Sequence, residues 1–138
     1  MQKKPIFITQ ADLDRLRARF QGDRSTDVQD SGYVKSLESE LQRAIVVDAK
    51  SISNDVITLR SRAVLKDLDS GEELTYTLVY PEESDPSNGK ISILSPVGTA
   101  MLGYRAGDLF EWEVPGGVRR LQVLRVEYQP EAAGDFHL

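Results

Sequence analysis

The sequence predicts an α+β protein: a short N-terminal antiparallel helical hairpin, then an antiparallel sheet carrying one short helix. Three observations lead there. Apolar residues recur at helical spacing up to Ile45, the period becomes two from Asp55 onward, and Pro115-Gly116-Gly117 separates two alternating runs as a hairpin turn does.

Thr9, with Asp12 three residues later, reads as the N-terminus of the first helix, a capping box with Asp in place of Glu. Leu13, Leu16 and Phe20 give its apolar stripe, and Gly22 ends it. Residues 22–32 form a polar loop, in which Asp30 or Ser31 caps the second helix. There Val34, Leu37, Leu41 and Ala44 form the stripe, extended by Ile45, and the two helices are expected to pack antiparallel. These stripes fit a coiled-coil probe or a hairpin covering the next domain. An arm of eleven residues would span only about 17 Å.

The change of period between Lys50 and Asp55 sets the expected boundary, with modules at 1–51 and 52–138. Ile57, Leu59, Ala63 and Leu65 share one side of a first strand interrupted at Ser61. Asp69-Ser70-Gly71 is a turn, and Leu74 to Tyr80 alternates as a second strand. A charged loop follows, from Pro81 to Gly89, and then a short strand from Ile91 to Leu94. Pro96 suits the first turn of a short helix ended by Gly103. Phe110, Trp112 and Val114 alternate before the Pro-Gly-Gly turn, with Trp112 expected in the core, and Leu121 to Tyr128 returns as the hairpin partner.

The 138 residues include no cysteine, which excludes disulfides and thiolate metal sites. No apolar run approaches the roughly 18 residues of a membrane span, and the N-terminus turns polar too soon for a signal peptide, so a cytoplasmic protein is expected. The net charge of −5 is uneven. Residues 1–50 hold nine Lys and Arg against eight Asp and Glu, whereas 51–138 hold eight against fourteen. An acidic main domain disfavours direct binding to a nucleic-acid backbone and suits docking on a basic protein surface.

Catalytic signals are sparse. There is no phosphate-binding GxxxxGK[ST] loop and no GxGxxG, and the one histidine, His137, stands a residue from the end. No enzyme activity, cofactor or bound metal is expected.

From Leu94 to Tyr128 the order Ser-Pro, Gly-Asp, Pro-Gly-Gly and Val-Glu-Tyr resembles the C-terminal domain of the Gre transcript-cleavage factors. Continued through Glu127–Asp135, EYQPEAAGD, it is similar to the Rnk family, the regulators of nucleoside diphosphate kinase. SGE at 70–72, LVYP at 78–81, SPVG at 95–98 and WEVPGG at 112–117 fit the same family. The resemblance implies a Gre C-terminal, FKBP-like sheet domain. It also implies binding to bacterial RNA polymerase near the secondary channel, in competition with Gre factors and without RNA cleavage. Ser95 and Pro96 match the Gre turn that touches the polymerase, with Leu94 where those factors carry a polar residue. Gre factors also hold a metal ion with two acids at the coiled-coil tip, and Asp27 and Asp30 have that spacing, with Asp23 as a third carboxylate. That spacing leaves open an active cleavage factor. The kinase name leaves open an adaptor that binds the kinase itself. The FKBP likeness brings in prolyl isomerisation, which needs an aromatic pocket; Tyr76, Tyr80, Tyr104, Phe110, Trp112 and Tyr128 are the available rings, and their alternation suits a sheet core better.

Overall fold

The computed structural model describes residues 6–21, 31–114 and 116–135, and of 21, 31–34, 36 and 112–114 the backbone alone. Asp23, Asp27, Asp30, Pro115 and His137 therefore lie outside the described residues, as does the side chain of Trp112.

The described residues open with strand β1 (Phe7–Thr9), which runs straight into helix α1 (Gln10–Gln21). The Thr9 hydroxyl accepts the amide of Asp12 at 3.0 Å, so Thr9 is the predicted cap. The second half of a capping box is absent from Asp12, whose carboxylate reaches Leu59 instead. Helix α2 (Ser31–Gln42) has the same twelve-residue length as α1, about 18 Å of helix each. Leu13 and Leu16 of α1 and Leu37 and Leu41 of α2 are buried in one apolar cluster with the sheet residues Leu65, Leu78, Leu121 and Val123. Each such side chain contributes about 1.5–3 kcal/mol by leaving water.

The second helix stops earlier than its apolar stripe suggested. Ile45 belongs to strand β2 (Ile45–Val47), which pairs in parallel with β1, and its side chain is exposed. Ile45 fits the helical spacing of α2, and that fit hides the short strand that begins at it.

Five strands make the main sheet: β3 (Arg62–Asp67), β4 (Glu73–Val79), β5 (Lys90–Ser92), β6 (Leu109–Val114) and β7 (Gly117–Tyr128). Their order is β5-β4-β3-β7-β6. Three neighbouring pairs are antiparallel, but β4 and β5 run parallel, so the sheet is mixed rather than wholly antiparallel. The loop between those two strands makes two 3-10 turns, at Pro81–Glu83 and Pro86–Asn88, which carry the chain around for that pairing.

The first sheet strand also starts later than expected. Ile57 and Leu59 are buried, yet they precede β3 in a bent segment. There Ser61 donates its amide to the Thr58 carbonyl at 3.0 Å, and Arg60 takes a left-handed φ of 67°. The break at Ser61 was a turn, and alternation continued only by accident on its far side. Strand β7 begins at Gly117, four residues before Leu121, and is twice out of step with β3. Val64 pairs with Arg125 but Leu65 with Val123, leaving Leu124 unpaired as a bulge. The bulge changes parity, so Leu121, Val123 and then Val126 face the core.

Helix α3 (Pro96–Met101) packs beside β6, and a four-residue helix α4 (Pro130–Ala133), absent from the sequence reading, closes the described chain. Gly103 has φ of 83°, and a Cβ there would sit 2.6 Å from Cβ of Ile6, so only glycine lets the N-terminal strand pass.

Candidate functional site

The Ser95–Pro96 turn lies between β5 and α3. Ile93 is buried and donates its amide to the Val79 carbonyl, which anchors the segment to β4. The Ser95 hydroxyl then works twice. It donates to the Ser92 carbonyl at 2.7 Å and accepts the Gly98 amide at 3.1 Å. Ser95 is thus the N-cap of α3, and Pro96 is its first residue, where a missing N–H costs nothing. Thr99 ties the same turn from behind, its hydroxyl donating to the Ile93 carbonyl at 2.6 Å.

Thr99, not singled out from the sequence, proves essential to this shape. So does Gly98, the end of the SPVG motif, where a Cβ would meet the Ser92 carbonyl oxygen at 2.0 Å. A serine followed three residues later by glycine is the local signal, although the close backbone approach is a tertiary fact.

The turn therefore has a division of labour. The Ser95 side chain is committed inward, whereas Pro96 is exposed, flanked by half-buried Leu94 and Val97. Residues 91–104 include no charged side chain, in a chain that is 28% charged. What the turn presents outward is a small apolar projection with no chemistry for acid, base or nucleophilic catalysis.

Four of the aromatic side chains already have close partners. Tyr104 and Phe110 are buried and stacked, with centroids 5.3 Å apart. Tyr80 is buried beneath two guanidinium groups, Arg19 at 4.1 Å and Arg60 at 5.3 Å from its ring centre. The Tyr128 hydroxyl donates to Asp135 at 2.6 Å.

A second polar site joins α1 to the bent segment before β3. Asp12 is 1% exposed. Its Oδ2 accepts the Leu59 amide at 3.3 Å, and its Oδ1 lies 3.6 Å from Nη1 of Arg15. Burial, and then the nearby Glu131 carboxylate, push its pKa up to about 7, against the smaller lowering effects of the Leu59 amide, Arg15 and Arg60. Next to it, Thr58 hydrogen-bonds the Ser61 hydroxyl at 2.7 Å and donates to Glu131 at 2.8 Å. The sequence reading took Asp12 only as part of a cap.

Comparison with known proteins fits this architecture. The model of the family "Transcription elongation factor, GreA/GreB, C-term" matches residues 52–128, and that of "Rnk N-terminus" matches residues 4–47. The chain belongs to the GreA/GreB family of transcription elongation factors and, within it, to the Rnk group. It is 47% identical over 104 residues to the Escherichia coli K12 "Regulator of nucleoside diphosphate kinase", covering 75% of this chain and 76% of that protein. To "Transcription elongation factor GreA" of Chloroherpeton thalassium it is 38% identical over 110 residues, covering 80% of this chain and 70% of the other. Among solved structures, the GreA/GreB elongation factor from Nitrosomonas europaea superposes with a TM-score of 0.72 at 40% identity, over 91% of this chain and all of that one. No described helix is long and apolar enough to cross a membrane.

Proposed function

We propose that this protein is a cytoplasmic, non-enzymatic regulator that binds bacterial RNA polymerase near the secondary channel, competes there with Gre-type factors and leaves RNA uncut. The observation that carries the reading is the Ser95–Pro96 turn, which matches the Gre turn and exposes Pro96 within a stretch, residues 91–104, that carries no charged side chain. In this reading residues 1–51 form an antiparallel helical hairpin, and 52–138 an FKBP-like domain that supplies the docking surface. The acidic main domain steers encounter with a basic partner, and the apolar turn supplies the contact. No sequence-specific nucleic-acid contact, metal or cofactor is needed. The 47% identity to a named regulator of nucleoside diphosphate kinase favours a second reading, in which the kinase is the partner.

The test is affinity for purified polymerase. Ser95→Ala with Pro96→Ala should weaken binding at least tenfold, about 1.4 kcal/mol. Pro96→Ala alone should produce most of that loss, because Ser95 faces inward. Unchanged binding by a folded double variant would move the contact elsewhere, and binding to the kinase but not the polymerase would promote the second reading. Added to a backtracked complex, the protein should yield no shortened RNA. Shortening that Asp27→Asn with Asp30→Asn abolishes would instead establish a cleavage factor.

A further inference from the structure

Among the described residues, helix α1 meets the rest of the molecule through polar contacts near both of its ends. Near its C-terminus, Arg19 pairs with Glu82 and covers the Tyr80 ring. In its first turn, Asp12 reaches 47 positions along the chain to the Leu59 amide. The two contacts differ in kind. Arg19 and Glu82 are opposite charges at the surface, whereas Asp12 is a carboxyl group enclosed by protein.

The groups that face Asp12 come from every element around it. Arg15 stands one turn along α1, and its side chain is 37% exposed, so water screens it. Arg60, from the bent segment before β3, acts on Asp12 at longer range while its guanidinium is engaged by Glu83, with both carboxylate oxygens at 3.1 Å. Tyr80 adds a buried phenol, and Glu131 on α4 adds a second carboxylate. Glu131 is held toward this junction by the Thr58 hydroxyl. One amide at 3.3 Å and a screened cation face a buried negative charge beside another negative charge. That balance favours a neutral carboxyl group.

We propose that Asp12 is a proton-operated latch between α1 and the sheet domain, closed when its carboxyl group is protonated and loosened when it ionises, with Glu131 setting the pH at which it releases.

The sign follows from linkage. Undocking α1 returns Asp12 to water, where its pKa falls back from about 7 toward 3.8. The docked state therefore binds the proton more tightly, and docking weakens as pH rises through 7. Between pH 6 and pH 8 the docking equilibrium should change about tenfold. The N-terminal helices are then held against the sheet in mild acid and are freer to reorient in mild base.

Hydrogen exchange on the full chain tests this. After correction for intrinsic exchange rates, amides of α1 that open by undocking should be protected about tenfold more at pH 6 than at pH 8, while β3 and β7 stay more protected than α1 at both pH values. Asp12→Asn preserves an acceptor for Leu59 but has no charge, and should reduce the change in α1 to less than twofold. Glu131→Gln should lower the midpoint, because it removes the neighbouring negative charge. Carbon-13 titration of the wild-type Asp12 carboxyl group gives a reading that needs no variant. A midpoint below 5, equal protection of α1 at both pH values, or a tenfold change retained by Asp12→Asn would each overturn the proposal.

Discussion

Two buried aspartates occupy opposite ends of the same question. Asp12, at the junction of α1 with the sheet, is 1% exposed, and Asp67, at the end of β3, is 4% exposed. Burial raises the pKa of both. At Asp67 it is outweighed: Oδ1 accepts the amides of Asp69 at 2.9 Å and Ser70 at 3.2 Å, and Oδ2 meets Arg119 at 2.6 Å, so its pKa is lowered. Asp12 has one longer amide contact and lies near Glu131, so its pKa is raised. The depth of a carboxylate does not decide its charge; the donors aimed at it do. Asp67 is a built turn anchor, whereas Asp12 is a group that the fold holds at a cost.

The sharpest way to break this comparison is Asp12→Asn. The gap between 3.8 and about 7 corresponds to at most about 4 kcal/mol. That penalty is absent below pH 4, grows as pH rises, and is fully present above pH 7. Denaturant unfolding should show the variant more stable than wild type at pH 8, with the two converging near pH 4. A variant less stable at pH 8 would mean that Asp12 is a stabilising charge after all.

Asp67→Asn should give a smaller effect with the opposite pH dependence. A lowered pKa contributes stability that is present above pH 3.8 and lost as pH falls through the folded-state value. The variant should be less stable than wild type at pH 7, and the difference should shrink in acid below pH 3.8. A constant difference from pH 2 to pH 7 would assign the loss to packing rather than charge.

Thr58→Val probes the polar bridge between the junction and α4. It leaves Glu131 and Ser61 without the Thr58 hydroxyl, at a cost of about 1–3 kcal/mol. Thermal melting within a degree of wild type would show that water replaces the hydroxyl freely.

The smallest change is Ser95→Ala, which removes the cap on Gly98 and should cost about 1 kcal/mol of stability. Its effect on partner binding should be smaller than that of Pro96→Ala. The reverse order would place the Ser95 hydroxyl in the contact rather than in the turn.

The same two aspartates mark how far the sequence could be read. Asp67 stands beside Asp69-Ser70-Gly71, a turn whose chemistry is local, and the turn was legible. Asp12 sits three residues after Thr9, so local rules gave it a capping role, and its actual partner is 47 residues away. The candidate docking turn was equally legible, since Ser95, Pro96 and Gly98 interact within four positions. Strands β1 and β2 were missed because each borders a helix whose signal covers it: Thr9 is also the cap of α1, and Ile45, an apolar residue, extends the stripe of α2 without belonging to that helix.

The sequence by itself determined the helices capped at Thr9 and Ser95, the mixed helix-and-strand character and the hairpin between β6 and β7. Each follows from interactions among near neighbours, and their period and turn residues are written in the chain. Only the tertiary structure decided the parallel pairings, the bulge that turns Val126 inward and the enclosure of Asp12 beside Glu131. Those depend on which distant backbone amides and charges arrive together. Electrostatic and hydrogen-bond energies are set by distance in space, which sequence spacing does not specify.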